Sequence, residues 1–311
     1  MKLAFVFPGQ GSQSHAMLEG FKNNFVVKNT IEEASDVLGQ DFSKIIDGEH
    51  KDQLNLTINT QPIILAVSIA IWRVFCERNA PLPNLMAGHS LGEYSALAVS
   101  GVMSFEQVLK LVSFRANSMQ NAVPEGVGGM AAIIGLNGDT VKKICNTCSD
   151  LVHKAEPANF NTIDQTVVSG HNDIVDKVCI LAKQSGARRA VKLAVSAPFH
   201  SSLMAPAAKE LKERLINEKF LLPKITVIDN VGVEFLTNVD QIKTSLSKQA
   251  MAPVRWKETI DKFQENQIEI ICECGPGKVL TGLTKRICPE IQAYTLSNEE
   301  EIDAVVSILN K

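Results

Sequence analysis

A serine sits at the centre of the strongest chemical pattern in the chain, Leu85-Met86-Ala87-Gly88-His89-Ser90-Leu91-Gly92-Glu93-Tyr94-Ser95-Ala96. An apolar run leads into a G-x-S-x-G pentapeptide, and a helical run follows it. Gly88 and Gly92 remove side chains so that a tight strand-to-helix turn can form, lifting Ser90 into the open in a strained conformation. A helix starting near Leu91 aims its free N–H groups and positive dipole end at whatever bonds to Ser90. Five residues of this kind also arise by chance; the strand before and the helix after favour a nucleophile.

A serine hydroxyl at its ordinary pKa needs a base. Of six histidines, His15, His50, His153 and His171 sit beside turns or in polar stretches. His89 abuts the nucleophile but shares its backbone turn, so its ring should point away from the Ser90 hydroxyl. His200 follows an apolar strand pattern through Ser196-Ala197-Pro198-Phe199 and precedes a helix. Loops at the carboxyl ends of strands are where α/β folds place catalytic groups, although a satisfied loop histidine reads the same way. The usual hydrolase order is serine, acid, histidine. No acid between Ser90 and His200 has a strand-end context, which leaves a backbone carbonyl or an amide as the third member.

Arg115 is the next informative residue. Ser104-Phe105-Glu106-Gln107 fits a capping box, and the helix it starts carries an apolar stripe of Val108, Leu111, Val112 and Met119. Arg115 falls on that stripe. An inward guanidinium needs an anion, because an unpaired buried charge is severely penalised. The anion is either an internal acid or a substrate carboxylate, which the planar fork of arginine grips in bidentate fashion. Phe7-Pro8-Gly9-Gln10-Gly11-Ser12-Gln13 fails as a dinucleotide fingerprint because the third glycine falls at Ser14. Such a loop at a strand's end can still offer a backbone N–H to an oxyanion.

These groups must be held by a scaffold. At 311 residues the chain is about two domains long. Short apolar runs ending in Gly or Pro alternate with helical patterns, the signature of a largely parallel sheet covered by helices. Strands are expected over 3–7, 85–87, 225–228, 268–272 and 293–296. Helices are expected over 63–78, 105–119, 202–217, 254–264 and 300–309. After a glycine-rich hinge at 126–129 the order changes to strand 130–134, helix 139–148, strands 151–156 and 166–169, helix 174–184 and strand 189–195. That βαββαβ order is the ferredoxin-like pattern. The expected fold is α/β: a mostly parallel sheet in 1–124 and 196–311, with a small domain inserted at 125–195 and a ligand cleft between them.

Composition narrows the class. Apolar residues make up 45% and charged ones 21%, which excludes disorder, collagen and coiled coil. Lys plus Arg is 31 against 34 for Asp plus Glu, so the balance gives no overall attraction to nucleic acid or anionic lipid. The longest apolar run, 63–72, falls short of the ~20 residues that span a bilayer, and the first residues are too short for a signal-peptide core. Seven cysteines follow no disulfide framework, and Cys145-Asn146-Thr147-Cys148 stands without a second metal-ligating pair, so reduced structural thiols are expected. A cytoplasmic protein is the expectation.

Taken in order, these motifs resemble the malonyl-CoA:acyl carrier protein transacylases. The resemblance runs through Phe7–Gln13, Gly88–Ser95, Arg115, Ala158-Asn159-Phe160-Asn161, Pro198-Phe199-His200-Ser201, Gln249 and Gly275-Pro276-Gly277-Lys278-Val279-Leu280. It implies a hydrolase-like large domain with a ferredoxin-like insert. It also implies that Ser90 is acylated, that His200 is its base, and that the N–H groups of Gln10 and Leu91 form the oxyanion hole. Arg115 would hold the malonyl carboxylate, and Gln249 would orient His200 through its backbone carbonyl. Phe199, preceding the histidine, implies malonyl rather than methylmalonyl. The substrate would be a coenzyme A thioester, with no permanently bound cofactor and no metal. The partner would be an acidic acyl carrier protein, for which Arg188, Arg189 and Lys192 or Lys278, Lys285 and Arg286 could supply the basic surface, although solvated strand and helix faces explain these residues equally well. His15-Ala16 and Thr162-Ile163-Asp164 depart from the common Val-Gly and Ser-Pro-Gly. A polyketide-type acyltransferase, a serine thioesterase or esterase, and a non-catalytic binding module are the alternatives.

Overall fold

The computed structural model describes residues 1–49 and 52–310, so His50 lies outside the described residues. The chain opens with β1 (Leu3–Phe7), α1 (Phe25–Leu38), α2 (Phe42–Ile46), α3 (Thr57–Glu77), β2 (Leu85–Gly88), α4 (Gly92–Val99) and α5 (Phe105–Asn121). It continues through β3 (Gly128–Ile134), α6 (Gly138–Cys148), β4 (Ala155–Thr162), β5 (Gln165–His171), α7 (Asn172–Gln184) and β6 (Arg189–Lys192). It returns with α8 (Ala205–Ile216), β7 (Thr226–Ile228), α9 (Val239–Gln249), α10 (Trp256–Glu265), β8 (Ile270–Glu273), α11 (Val279–Ile287), β9 (Gln292–Thr295) and α12 (Glu299–Leu309).

Five strands form a parallel sheet in the order β7-β2-β1-β8-β9. Every residue of β1 is buried because both faces of the sheet are covered. Leu3, Phe5 and Phe7 point into one core, with α1, α3 and α5. Ala4 and Val6 point into the other, with Trp256, Ile260 and Phe263 of α10 and with α11. One short apolar strand thus feeds two cores.

Helix α3 is long and apolar enough to cross a membrane by length and composition, but its apolar surface is spent inside this protein. It starts at Thr57, well before the expected 63. The first turn is polar and therefore silent as a hydrophobic pattern, yet Thr57, Asn59, Thr60 and Gln61 are buried because each is hydrogen-bonded inside the protein.

The second sheet is antiparallel, in the order β4-β5-β3-β6, with βαββαβ connectivity, and all of its strands lie between Gly128 and Lys192. Along β3, Ala131 and Ile133 pack under α6 and α7, while Met130 faces Phe199, Met204 and Met119 of the larger unit. Gly128 and Gly129 belong to β3 rather than to a hinge. The strand expected at 151–156 begins only at Ala155. Leu151 and Val152 are 98% and 75% exposed, and Asp150 Oδ1 accepts from the Val152 and His153 N–H groups, turning the chain instead. The strand expected to reach 195 ends at Lys192, freeing Leu193 and Val195 to line a cavity. The units are stitched by backbone bonds from Phe160 N to Val254 O (2.9 Å) and from Val254 N to Ala158 O (2.9 Å).

Candidate active site

The turn between β2 and α4 is as tight as the glycine spacing requires. A Cβ on Gly88 would meet the Gly92 carbonyl carbon at 1.8 Å, and one on Gly92 would meet the Phe7 oxygen at 1.9 Å. Ser90 between them has φ 54°, a left-handed conformation costly for a non-glycine residue. Asn230 holds it there: its Oδ1 accepts from Ser90 N (2.7 Å) while its Nδ2 donates to Gly88 O (2.6 Å).

His200 occupies the loop between β6 and α8, itself at φ 60°, with its N–H on Ala250 O at 3.1 Å. Its Nε2 lies 2.7 Å from Ser90 Oγ. Its Nδ1 faces two carbonyls, Gln249 O at 2.8 Å and Ala252 O at 3.1 Å. Carbonyls only accept, so Nδ1 carries the proton and Nε2 is left as the acceptor for the serine hydroxyl. Burial, and then the positive charge of Arg115, push the His200 pKa down to about 3. The ring is therefore neutral at physiological pH and ready to take a proton.

Arg115 projects from α5 with only 1% of its surface exposed. Ser104 caps that helix by accepting from Gln107 N (3.2 Å), but the Gln107 side chain binds Glu218 instead of closing the capping box. The guanidinium donates to Gln61 Oε1, to Gln249 Oε1 (2.9 Å) and to Ser90 Oγ (3.1 Å), and it stands 5.2 Å from the centre of the Tyr94 ring. None of these partners is a carboxylate, and Nε has no partner at all among the described residues. The internal salt bridge is thus absent there. Burial lowers the Arg115 pKa from the ordinary arginine range, opposed by the nearby Tyr94 and Glu93.

Gln10, Leu91, Ser90, Arg115 and His200 surround one cavity of about 110 Å³. Sites for drug-sized ligands run to ~300–1,000 Å³, so this one suits a short acyl group. Neither the Gln10 nor the Leu91 amide donates to a protein carbonyl among the described residues. The Gln10 loop is tied down by Nε2 on Thr57 Oγ1 (3.1 Å), which lies 3.2 Å from Ser196 Oγ. Met119, Met130, Leu193, Val195 and Phe199 supply apolar walls.

A serine, a neutral histidine and two free amides around an acyl-sized cavity are the parts of an acyl-transfer site, and the family comparison agrees. The family model described as acyl transferase domain matches residues 4–296. The chain belongs to this acyl transferase family. It is similar to the malonyl CoA-acyl carrier protein transacylase of Haemophilus influenzae, at 43% identity over 99% of each chain. Among solved structures, the acyl-carrier-protein S-malonyltransferase of Burkholderia pseudomallei 1710b matches with a TM-score of 0.96 at 46% identity, covering 99% of this chain and 100% of that one. The malonyl-transacylase PlMCAT, solved in complex with the type II PKS acyl-carrier protein AntF, matches with a TM-score of 0.97 at 42% identity and the same coverage.

Several groups of this acyl transferase site escape sequence reasoning. Gln61, Asn230 and Glu93 all bond into it. Asn230 had an available signal, since it follows the apolar β7 at the same strand end that points to catalytic loops. His89 turns away from the Ser90 hydroxyl, with Nε2 on Asn161 Oδ1 at 2.9 Å. His15 bonds Ile46 O, and His153 stacks on His171 at 4.4 Å beyond the cavity lining. On the surface, Arg189 of β6 and the preceding Arg188 share a depression with Arg286 of α11. Arg188 is paired with Asp164, and Lys192 with Asp176.

Proposed function

We propose that this chain transfers a malonyl group from malonyl-CoA to the phosphopantetheine thiol of an acyl carrier protein, through a malonyl ester on Ser90, supplying fatty acid synthesis. One observation carries the choice of acyl group: a buried guanidinium with no carboxylate partner donates to the nucleophile itself at 3.1 Å. An acyl chain ending in a carboxylate supplies the missing anion. The relatives, a malonyl CoA-acyl carrier protein transacylase and an acyl-carrier-protein S-malonyltransferase, support the same substrate.

In this reading His200 Nε2 takes the Ser90 proton as Oγ attacks the thioester carbonyl. The oxyanion sits between the Gln10 and Leu91 amides, each donor of this kind being worth ~10²–10³ in rate. Collapse breaks the carbon–sulfur bond, and the coenzyme A thiolate leaves with the proton from His200. The carrier thiol then gives its proton to Nε2 and attacks the ester, and Ser90 recovers that proton as it departs. Gln249 keeps the imidazole oriented through its carbonyl, in place of an acid. A malonyl carboxylate on Arg115 also offsets the charge that depresses the His200 pKa, so the base strengthens when the right substrate is bound.

The catalytic body is 1–124 with 196–311, and 125–195 is the inserted domain. The depression formed by Arg188, Arg189 and Arg286 is the docking face for the acidic carrier, drawing on both clusters singled out in the sequence. Coenzyme A enters as the thioester substrate rather than as a permanently bound cofactor, and the reaction runs in the cytoplasm, where reduced thiols such as these persist. A polyketide carrier is a second reading, favoured by the match to PlMCAT, and it leaves the chemistry at Ser90 unchanged. Incubation with malonyl-CoA should give a malonyl adduct on Ser90 by intact mass, absent in Ser90→Ala. A wild-type protein that stays unmodified would sink the acyl-enzyme.

A further inference from the structure

Glu93 lies three residues beyond Ser90, fully buried, and the acyl-transfer steps make no use of it. Its Oε2 accepts from two donors, Asn230 N at 3.0 Å and Gln249 Nε2 at 2.8 Å. Both partners reach into the site. Asn230 Oδ1 holds Ser90 N, while Gln249 Nε2 also donates to Ser90 O (2.9 Å) and its Oε1 accepts from Arg115 Nη2 (2.9 Å).

A carboxamide donates on one side and accepts on the other, so its neighbours decide which way round it sits. Glu93 Oε2 and Ser90 O are both acceptors, and together they turn the Gln249 NH₂ group toward themselves and its oxygen toward Arg115. A flipped amide would set NH₂ against a guanidinium, donor against donor. Arg115 has no carboxylate of its own, so this amide oxygen is one of the few groups that fix its direction.

We propose that Glu93 is a positioning residue for acyl selection: its buried oxygen locks the Gln249 amide with its carbonyl toward Arg115, holding the guanidinium where the malonyl carboxylate lands. This rests on the reading that Arg115 receives that carboxylate. The lock needs an acceptor oxygen rather than a negative charge. Burial and the nearby Asp229 favour the neutral carboxyl, which retains such an oxygen, and a glutamine retains it too.

The test compares single-turnover acylation of Ser90 by malonyl-CoA and by acetyl-CoA, read by intact mass, in Glu93→Leu, Glu93→Gln, Gln249→Met and Arg115→Ala. Glu93→Leu should lower the malonyl-to-acetyl rate ratio about 10-fold or more, as expected when a substrate-positioning group is displaced. Glu93→Gln should restore most of it. Gln249→Met keeps the backbone carbonyl that His200 uses and should show the same loss; an unchanged ratio there overturns the proposal whether or not Glu93→Leu folds. If Arg115→Ala leaves the ratio unchanged, the reading of Arg115 fails and this proposal with it. If Arg115→Ala lowers the ratio while Glu93→Leu slows both acyl groups equally, or Glu93→Gln is as impaired as Glu93→Leu, only the role of Glu93 falls.

Discussion

The two sheets divide the work unequally. The parallel unit contributes Gln10, Ser90 and Leu91 at the carboxyl ends of β1 and β2 and Arg115 from α5 packed behind them, while His200 comes from the loop that leads out of β6 of the antiparallel sheet into α8. The antiparallel unit contributes walls, Met130 and Asn159, and a surface cluster of arginines. A parallel sheet ends all its strands on one side, so separate loops converge on one point, and helix N-termini arrive there too. An antiparallel sheet has no such common end. It offers a face, which suits shaping a pocket and presenting charge to a partner.

Several substitutions would break or sharpen that division. Ser90→Ala should abolish acylation, and His200→Ala should slow it by about 10⁴-fold or more, as losses within a unit that acts together do; both are read by stopped-flow release of coenzyme A. Arg115→Ala should slow malonyl transfer about 10- to 100-fold, the effect of an unpaired buried partner, and acetyl transfer far less. Equal losses would make Arg115 structural.

The same variant should move the pH profile. In the proposed mechanism His200 acts as a base only when neutral, and burial, then the Arg115 charge, push its pKa down to about 3. Removing that charge raises the pKa, so the acid limb of kcat/KM should shift to higher pH. A limb that stays in place would separate the two groups electrostatically. The smallest expected effect is at the surface where the two units meet, in the depression shared by Arg189 and Arg286 of α11. Arg189→Glu with Arg286→Glu should raise KM for the carrier protein several-fold and leave coenzyme A release from malonyl-CoA unchanged. A loss in that first half-reaction would mean that the surface cluster serves chemistry as well as docking.

What was legible in the sequence follows the same physical line. Ser90 could be read because backbone demands mark it, glycines that nothing larger can replace, whereas the loop context of His200 suited a satisfied histidine equally and the family resemblance singled it out. The strands β1 and β2 were legible because burial on both faces makes them continuously apolar. Arg115 could be singled out as inward, but that no carboxylate bonds its guanidinium directly could not. Its contact with Gln249 spans 134 positions, and the grip of Asn230 on Ser90 spans 140. Such side-chain pairings leave no periodic trace. The false strand start at 151 has a local cause, since Leu151 and Val152 look apolar while Asp150 bends the backbone beneath them.

Transfer rather than hydrolysis is the central claim, and the fate of the acyl-enzyme decides it. Malonyl-Ser90 protein, freed of excess malonyl-CoA, should be mixed with the phosphopantetheinylated carrier and both masses followed. The account predicts that the enzyme loses its malonyl group as the carrier gains one. Release of free malonate with the carrier left unmodified would contradict it.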